Sequence, residues 1–418
     1  MHILFLTDNF PPEVNAPASR TFEHCREWVS AGHGVTIITC APNFPRGKVF
    51  DGYRNRLWQS EVMAGIRVIR VWTYITANEG FAGRVLDYMS FMVAATVASA
   101  FIRRVDVVVG TSPQFFTACA AWLVGRLKRI PWVFELRDIW PEAIKAVGAV
   151  ADSPTIRALE RLEMFLYRHA SHIVVVTHAF KETLVRRGVA GDKIDVVTNG
   201  VDLSRFKPRV RDEALMEKLG LSGRFIAGYI GTHGMAHALE TLLDAAALLK
   251  KDPRAGNIRL LFIGDGARKA TLVADARERG LDNVLFLDSV PKAEVPRYWS
   301  VLDVAVIHLR QSELFETVIP SKLFECMGMG IPVLHGVRGE SADIVRKERI
   351  GEVFEPENAR QLVAGLLRMR DNQIHDRVSY GTDYQALRKN CVEAAKHYDR
   401  KRLALHMMEI IGRTTQCL

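Results

Sequence analysis

Short apolar runs rich in Val and Ile alternate with helix-length stretches along the chain, and the series plays out twice. The first set lies at 3–7, 35–39, 66–71, 105–109, 132–136 and 172–176. The second lies at 225–230, 258–263, 283–287, 303–307 and 331–335. Strands of this length separated by helices imply βαβ units and a parallel sheet. Between the two sets, the turn pair Asn199-Gly200 precedes a polar stretch, Arg205–Gly223, that includes Lys207-Pro208-Arg209. This stretch reads as a connector. The expectation is therefore an α/β protein of two Rossmann-like doubly wound domains facing a central cleft. Residues 1–204 form the first and 205–395 the second.

With 418 residues, the chain has room for two cores without staples. The net charge of +9 favours anionic partners without choosing among them. The six cysteines are scattered, with no C-x-x-C, which fits a reducing compartment and argues against structural zinc. Met1 leads at once into Ile3-Leu4-Phe5-Leu6 with no basic lead or small-residue cleavage site, so a cytosolic start is expected. One stretch departs from the pattern. Between Arg84 and Arg103, eighteen residues carry Asp87 as their only formal charge. It reads either as a buried helix supported by its alanines, or as a helix at a membrane surface. In the second case Tyr88, Phe91 and Phe101 would sit in the interface and Arg84, Arg103 and Arg104 on head groups.

In doubly wound folds, ligands sit outside the carboxyl ends of the strands, so the loops after strands are where chemistry is expected. Neither G-x-G-x-x-G nor a Walker loop occurs, which disfavours nicotinamide, flavin and P-loop chemistry. The first loop, Thr7–Arg20, is proline-rich and leads into a helix, with Arg20 a candidate phosphate or substrate contact. After the run 132–136 come Arg137 and Asp138, followed by Trp140-Pro141-Glu142. Arg137 is a candidate phosphate ligand, and Asp138 a group that orients or polarises a sugar hydroxyl. The loop Asn43–Arg56, with Arg46 and Lys48, mixes bases with aromatics and either meets a diphosphate lipid or is solvated. The strongest signal is FETVIPSKLFECMGMGIPVLH at 315–335. There Pro320-Ser321 starts a helix and Lys322 lies by its N-terminus, where free N–H groups favour an anion. Glu325 follows about one turn later, placed either for a ribose diol or to complement the helix dipole.

In its ordered motifs, the sequence resembles the retaining glycosyltransferases of family four, which have the GT-B fold. The resemblance rests on Pro11-Pro12-Glu13, Gly32-His33-Gly34-Val35-Thr36, Asn199-Gly200-Val201-Asp202, Gly264-Asp265-Gly266 and the segment Glu325-Cys326-Met327 to Pro332-Val333. It implies that Glu325 holds the donor ribose as the second glutamate of an E-x7-E motif. The first falls on Thr317, with Glu316 beside it. The family's second-domain basic pair follows a glycine that corresponds to Gly231, but here those positions are Thr232 and His237. Lys322 becomes the candidate for the diphosphate charge, joined by Ser321 and by Gly264 and Asp265 on the donor side. The family's first-loop glycine pair is replaced by Asn15-Ala16, which with Arg20, Arg46 and Lys48 is expected on the acceptor side. Arg137, Asp138 and Lys322 are the expected catalytic groups.

These departures resemble the enzymes of O-antigen and capsule assembly that include N-acetyl-L-fucosamine transferases. The implied donor is a nucleotide sugar, UDP-linked and carrying an N-acetylated amino sugar. The implied acceptor is an undecaprenyl-diphosphate-linked saccharide at the inner face of the cytoplasmic membrane, with the protein bound peripherally. No D-x-D occurs, so no metal or other cofactor is expected. The final helix, 396–418, is expected to pack back on the first domain, within a basic amphipathic segment spanning 388–413. The competing readings are a GT-B nucleotide-sugar epimerase and a nucleic-acid-binding protein. The bases are spread along the chain without a binding motif, so nucleic acid is not an expected partner.

Overall fold

Each series of apolar runs builds its own sheet. The computed structural model describes residues 1–44, 47–76, 81–139, 154–375 and 383–416. The chain divides into two compact units, 1–199 with 400–418, and 200–399. The crossings thus fall at Asn199/Gly200 and Asp399/Arg400, rather than at 204 and 395.

The first unit carries β1 (His2–Leu6), β2 (Gly34–Cys40), β3 (Trp58–Met63), β4 (Ile66–Val71), β5 (Val107–Thr111), β6 (Trp132–Leu136), β7 (His172–Val175) and β8 (Ile194–Val196). Their order across the sheet is β3-β4-β2-β1-β5-β6-β7-β8. The central strands are buried on both faces, hence their unbroken apolar composition. Strand β3 pairs antiparallel with β4 at the edge. Its half-exposed sequence, WQSEVM, and the three residues of β8 explain why neither stands out as an apolar run.

Helices α1 (Ala16–Ser30), α2 (Phe81–Ala100), α3 (Phe115–Lys128), α4 (Pro154–His169) and α5 (His178–Arg186) connect these strands. One side of the sheet packs on Phe91, Ala95 and Ala98 of α2 together with α3 and α4. The other packs on Cys25 and Trp28 of α1 and on the C-terminal helix. Helix α2 is thus half core. Phe91 is fully buried and Tyr88 is turned toward an inner pocket, so neither is an interfacial aromatic. The outward face of α2 instead presents Leu86, Met89, Val93 and Val97, and Phe101 follows them at 72% exposure. Among the described residues, no helix is long and apolar enough to cross a membrane.

The second unit contains β9 (Phe225–Ile230), β10 (Ile258–Ile263), β11 (Val284–Leu287), β12 (Val304–His308), β13 (Val333–Gly336) and β14 (Gly351–Val353). All are parallel, in the order β11-β10-β9-β12-β13-β14. Counted from β9, this is the 3-2-1-4-5-6 order of dinucleotide-binding folds, whose direction reverses between β9 and β12. The helices are α6 (Glu213–Lys218), α7 (Glu240–Lys251), α8 (Lys269–Glu278), α9 (Val295–Trp299), α10 (Glu313–Glu316), α11 (Lys322–Met329), α12 (Glu340–Glu348), α13 (Ala359–His375) and α14 (Tyr384–His397).

The basic segment at 388–413 is not one helix. It breaks at Tyr398–Asp399, between α14 and α15 (Arg400–Gln416). Helix α15 belongs to the first unit. Its Met407, Met408, Ile410 and Ile411 join the core beside α1, and Trp28 Nε1 donates to the Ala404 carbonyl at 2.7 Å.

Candidate active site

In the second unit, the reversal point gathers the loop after β9, the loop after β10 and the start of α11. Gly231 closes β9 at φ +147°, and a Cβ there would lie 2.8 Å from Lys322 Nζ. The lysine's ammonium thus occupies the space that a side chain at this turn would need. It sits 3.7 Å from the centroid of the Tyr229 ring, a cation–π contact. The Tyr229 hydroxyl donates to the Thr232 carbonyl at 2.8 Å. Lys322 Nζ is buried and has no hydrogen-bond partner among the described residues. Burial pushes its pKa down to about 7, while the Glu325 charge pulls upward.

Three histidines surround this ammonium. His308 donates from Nδ1 to the His237 carbonyl at 2.8 Å and accepts at Nε2 from the Glu357 N–H at 2.9 Å, which sets its tautomer. His237 is held down to about 3 by burial, helped by the Lys322 charge. His233 is held near 4, again by burial first. All three are neutral at physiological pH, which leaves Lys322, itself titrating near 7, and the nearby Lys269 as the cations acting here. The loop after β10 fits against the loop after β9. Gly264 also has positive φ, and a Cβ on it would strike the Gly231 carbonyl at 1.9 Å, so only glycine permits this approach. The neighbouring Asp265 carbonyl accepts from the His233 N–H at 2.8 Å.

Ser321 is the residue before α11, as its position in Pro320-Ser321-Lys322 suggests, yet its side chain makes no capping bond. Glu325, half-buried one turn on, accepts from Trp299 Nε1 at 3.0 Å. The structure therefore joins Gly231, His237, Gly264, Asp265, Lys322 and Glu325 around one turn. Thr232 takes part through its backbone. Glu316 faces Arg338 at 3.9 Å, and the Thr317 hydroxyl donates to the Leu314 carbonyl. Both thus have local partners.

In the first unit, the direction reverses between β1 and β5. Arg137 and Asp138, directly after β6, both donate their backbone N–H to Ser112 Oγ, at 2.7 and 3.2 Å. Burial lifts Asp138 to about 6. Arg137 Nε is buried and has no hydrogen-bond partner among the described residues. Its Nη1 donates to the Pro17 carbonyl at 3.4 Å, and among the described residues its Nε keeps capacity for a ligand.

Arg20 does not. It is 2% exposed, pairs with Glu135 at 2.8 Å, and donates to the carbonyls of Val197 and Thr198 at 2.9 and 2.7 Å. It is a structural tie from α1 to the sheet, which corrects the expectation of an acceptor contact. Asn15 caps α1 through the Ala18 N–H and also lines a pocket of about 250 Å³ with Asp8 and Glu13. Lys48 is exposed. Arg46 and Trp140-Pro141-Glu142 lie outside the described residues. The residue-by-residue reading missed Glu13 and Asp87 as pocket groups. Their signals were present, Glu13 closing Pro11-Pro12-Glu13 and Asp87 the only charge in its apolar run.

Two doubly wound α/β units, the second in the dinucleotide-binding strand order with a buried lysine at its reversal point, form an architecture on which phosphorylated ligands bind. The chain is a glycosyltransferase of the GT-B fold. Residues 15–200 match the glycosyl transferase 4-like domain and residues 211–398 match the glycosyl transferases group 1 domain. The glycosyl transferase WcaI of Escherichia coli, assigned to colanic acid biosynthesis, is 25% identical over 88% of this chain and 91% of its own. The sucrose-phosphate synthase of Thermosynechococcus elongatus aligns over 100% of both chains, with a TM-score of 0.75 at 17% identity. HepE of Anabaena, solved with UDP and glucose, aligns over 98% of this chain and 99% of its own, with a TM-score of 0.70 at 16% identity.

Proposed function

We propose that the protein transfers an N-acetylated amino sugar from a UDP-sugar, with retention of configuration, to an undecaprenyl-diphosphate-linked saccharide during surface polysaccharide assembly. One observation carries the donor half. Lys322 presents a buried ammonium, without a hydrogen-bond partner among the described residues, at the reversal point of a nucleotide-type sheet, beside the N-terminus of α11. A diphosphate supplies the anion that this group lacks, and the charge growing on the leaving UDP is met by Lys322 together with backbone N–H groups. Glu325 holds the ribose diol. The leaving phosphate takes the proton of the acceptor hydroxyl as the new glycosidic bond forms on the same face, with Asp138 orienting that hydroxyl and Arg137 holding a phosphate. The assignment of WcaI to colanic acid biosynthesis supports a polysaccharide product, and the UDP bound to HepE supports a UDP donor.

The lipid-linked acceptor calls for work at the inner face of the cytoplasmic membrane. An apolar surface lined by Trp58, Trp72, Met89, Val93, Val97 and Phe101 supports that reading, because exposed apolar patches of this kind mark interaction sites. The exposed Arg103 and Arg104 adjoin it in sequence. Thermal unfolding of the protein with a panel of UDP- and GDP-sugars tests the donor. A ligand that binds only the native state at a hundred times its Kd adds about 2.7 kcal/mol. A panel in which no UDP-sugar raises the Tm would overturn the donor assignment.

A further inference from the structure

The ammonium of Lys322 has a neighbour in the same state. His237 Nδ1 is buried and has no hydrogen-bond partner among the described residues. Its ring meets the Tyr229 ring edge-on, with centroids 6.0 Å apart, and Lys322 lies over that same tyrosine. His237 closes a single turn, Met235–His237, after which Ala238 takes a left-handed φ of +42°. So short a turn makes few bonds of its own, and it is held from the end of β12. The Arg310 N–H donates to the Ala236 carbonyl at 2.8 Å, and His308 Nδ1 donates to the His237 carbonyl at 2.8 Å.

The His308 ring is itself locked in place. It is 1% exposed and lies parallel to the Phe354 ring, 5.8 Å away and inclined by 4°. A Cβ on Gly336 would come within 2.4 Å of Phe354 Cζ and 2.6 Å of His308 Cδ2, so glycine makes room for both rings. On the far side, Glu357 aims its N–H at His308 Nε2 from a left-handed φ of +62°, a conformation that persists only where the surroundings enforce it. The Glu357 carboxylate accepts in turn from the Gln311 N–H at 2.9 Å. A backbone N–H only donates, so Nε2 accepts and Nδ1 carries the proton. Burial holds the ring below its ordinary pKa, which keeps it neutral and fit for both roles. Asparagine would reproduce the Nδ1 donor alone, and glutamine, reaching further, the Nε2 acceptor alone.

We propose that His308 is a positioning residue for the nucleotide donor, a strut from the loop after β14 to the turn at Met235–His237 that holds His237 beside Lys322. This rests on the donor reading and adds the residue that orders its site. A turn that is ordered only part of the time lowers the apparent affinity by the competent fraction.

Three variants of the full chain test this, His308→Asn, His308→Gln and His308→Phe, with UDP as the probe in calorimetry at pH 7. All three should lower the Tm, because each loses at least one buried hydrogen bond. The UDP affinity should separate them: Gln and Phe lose ~tenfold, whereas Asn stays within about threefold of the wild type. Without nucleotide, hydrogen exchange of the backbone at 233–238, read by mass spectrometry, should quicken in Gln and Phe and stay near the wild type in Asn. If Phe fails to fold, Asn against Gln still decides. Affinity that follows the Tm rather than the retained donor, wild-type affinity in Gln, or exchange equal in all four proteins would overturn the proposal. A wild type that does not bind UDP removes the donor reading, and the exchange pattern alone then upholds or overturns the strut.

Discussion

Nucleotide binding should draw a proton onto Lys322. In the free protein its pKa lies near 7, against an ordinary 10.5, because burial penalises the charge and no hydrogen bond compensates. A diphosphate against the ammonium favours the charged form and restores the higher value. At pH 7 about half the lysines are then neutral before binding, so uptake is about 0.5 proton, rising to about 0.9 at pH 8. The sign follows. Affinity is fully present below pH ~7 and falls by about tenfold per pH unit above it, until the bound-state pKa is reached. Calorimetry of UDP binding in phosphate and Tris buffers, whose ionisation enthalpies differ, reads the uptake directly. Working above pH 7 keeps the nucleotide's own ionisation near 6 out of the measurement. His233, His237 and His308 also face this site, and all are depressed by burial. Lys322→Met separates them. The uptake should vanish, UDP affinity should fall by about 1.5–3 kcal/mol at pH 7 or below, and kcat should fall further than affinity, because the leaving group's charge grows in the transition state. No uptake in the wild type, or uptake that survives Lys322→Met, would refute the argument.

Glu325→Ala should cost about 1.5–3 kcal/mol of UDP binding through the lost ribose contact, measured by calorimetry. Glu325→Gln keeps an acceptor for Trp299 Nε1 and should retain the Tm, so unchanged UDP affinity in both variants would end the ribose assignment. Transfer should proceed fully in excess EDTA, because Lys322 supplies charge at the diphosphate. Activity lost to chelator and restored by magnesium or manganese would show otherwise. The protein should co-sediment with vesicles containing anionic lipid and release in high salt, as screening weakens attraction worth about 1 kcal/mol per basic residue. Phe101→Ser with Val97→Ser should reduce sedimentation without lowering the Tm, since both side chains are exposed. An unaltered pellet would place the membrane contact elsewhere.

The repeated alternation of β-branched runs and helical stretches determined two sheets of parallel central strands, since buried parallel strands demand such continuous apolar composition. Within it, local chemistry marked the start of α11, because a helix start is a property of a few consecutive residues, whereas the turns at Gly231 and Gly264 were marked by the family resemblance. The edge strands β3, β8 and β14 escaped notice for the converse reason, being half-exposed or three residues long. The tertiary structure decided which charges are spent and which remain available. Arg20 looked like a ligand contact beside a proline loop, yet it is consumed by Glu135, 115 residues away. Lys322 ended buried against the Tyr229 ring, without a hydrogen-bond partner among the described residues. Asp87 and Glu13, from a helix and a loop far apart in sequence, meet in one pocket. Whether a charge is paired depends on groups that only long-range packing brings together, and burial sets its free energy by several kcal/mol. No local spacing carries that information.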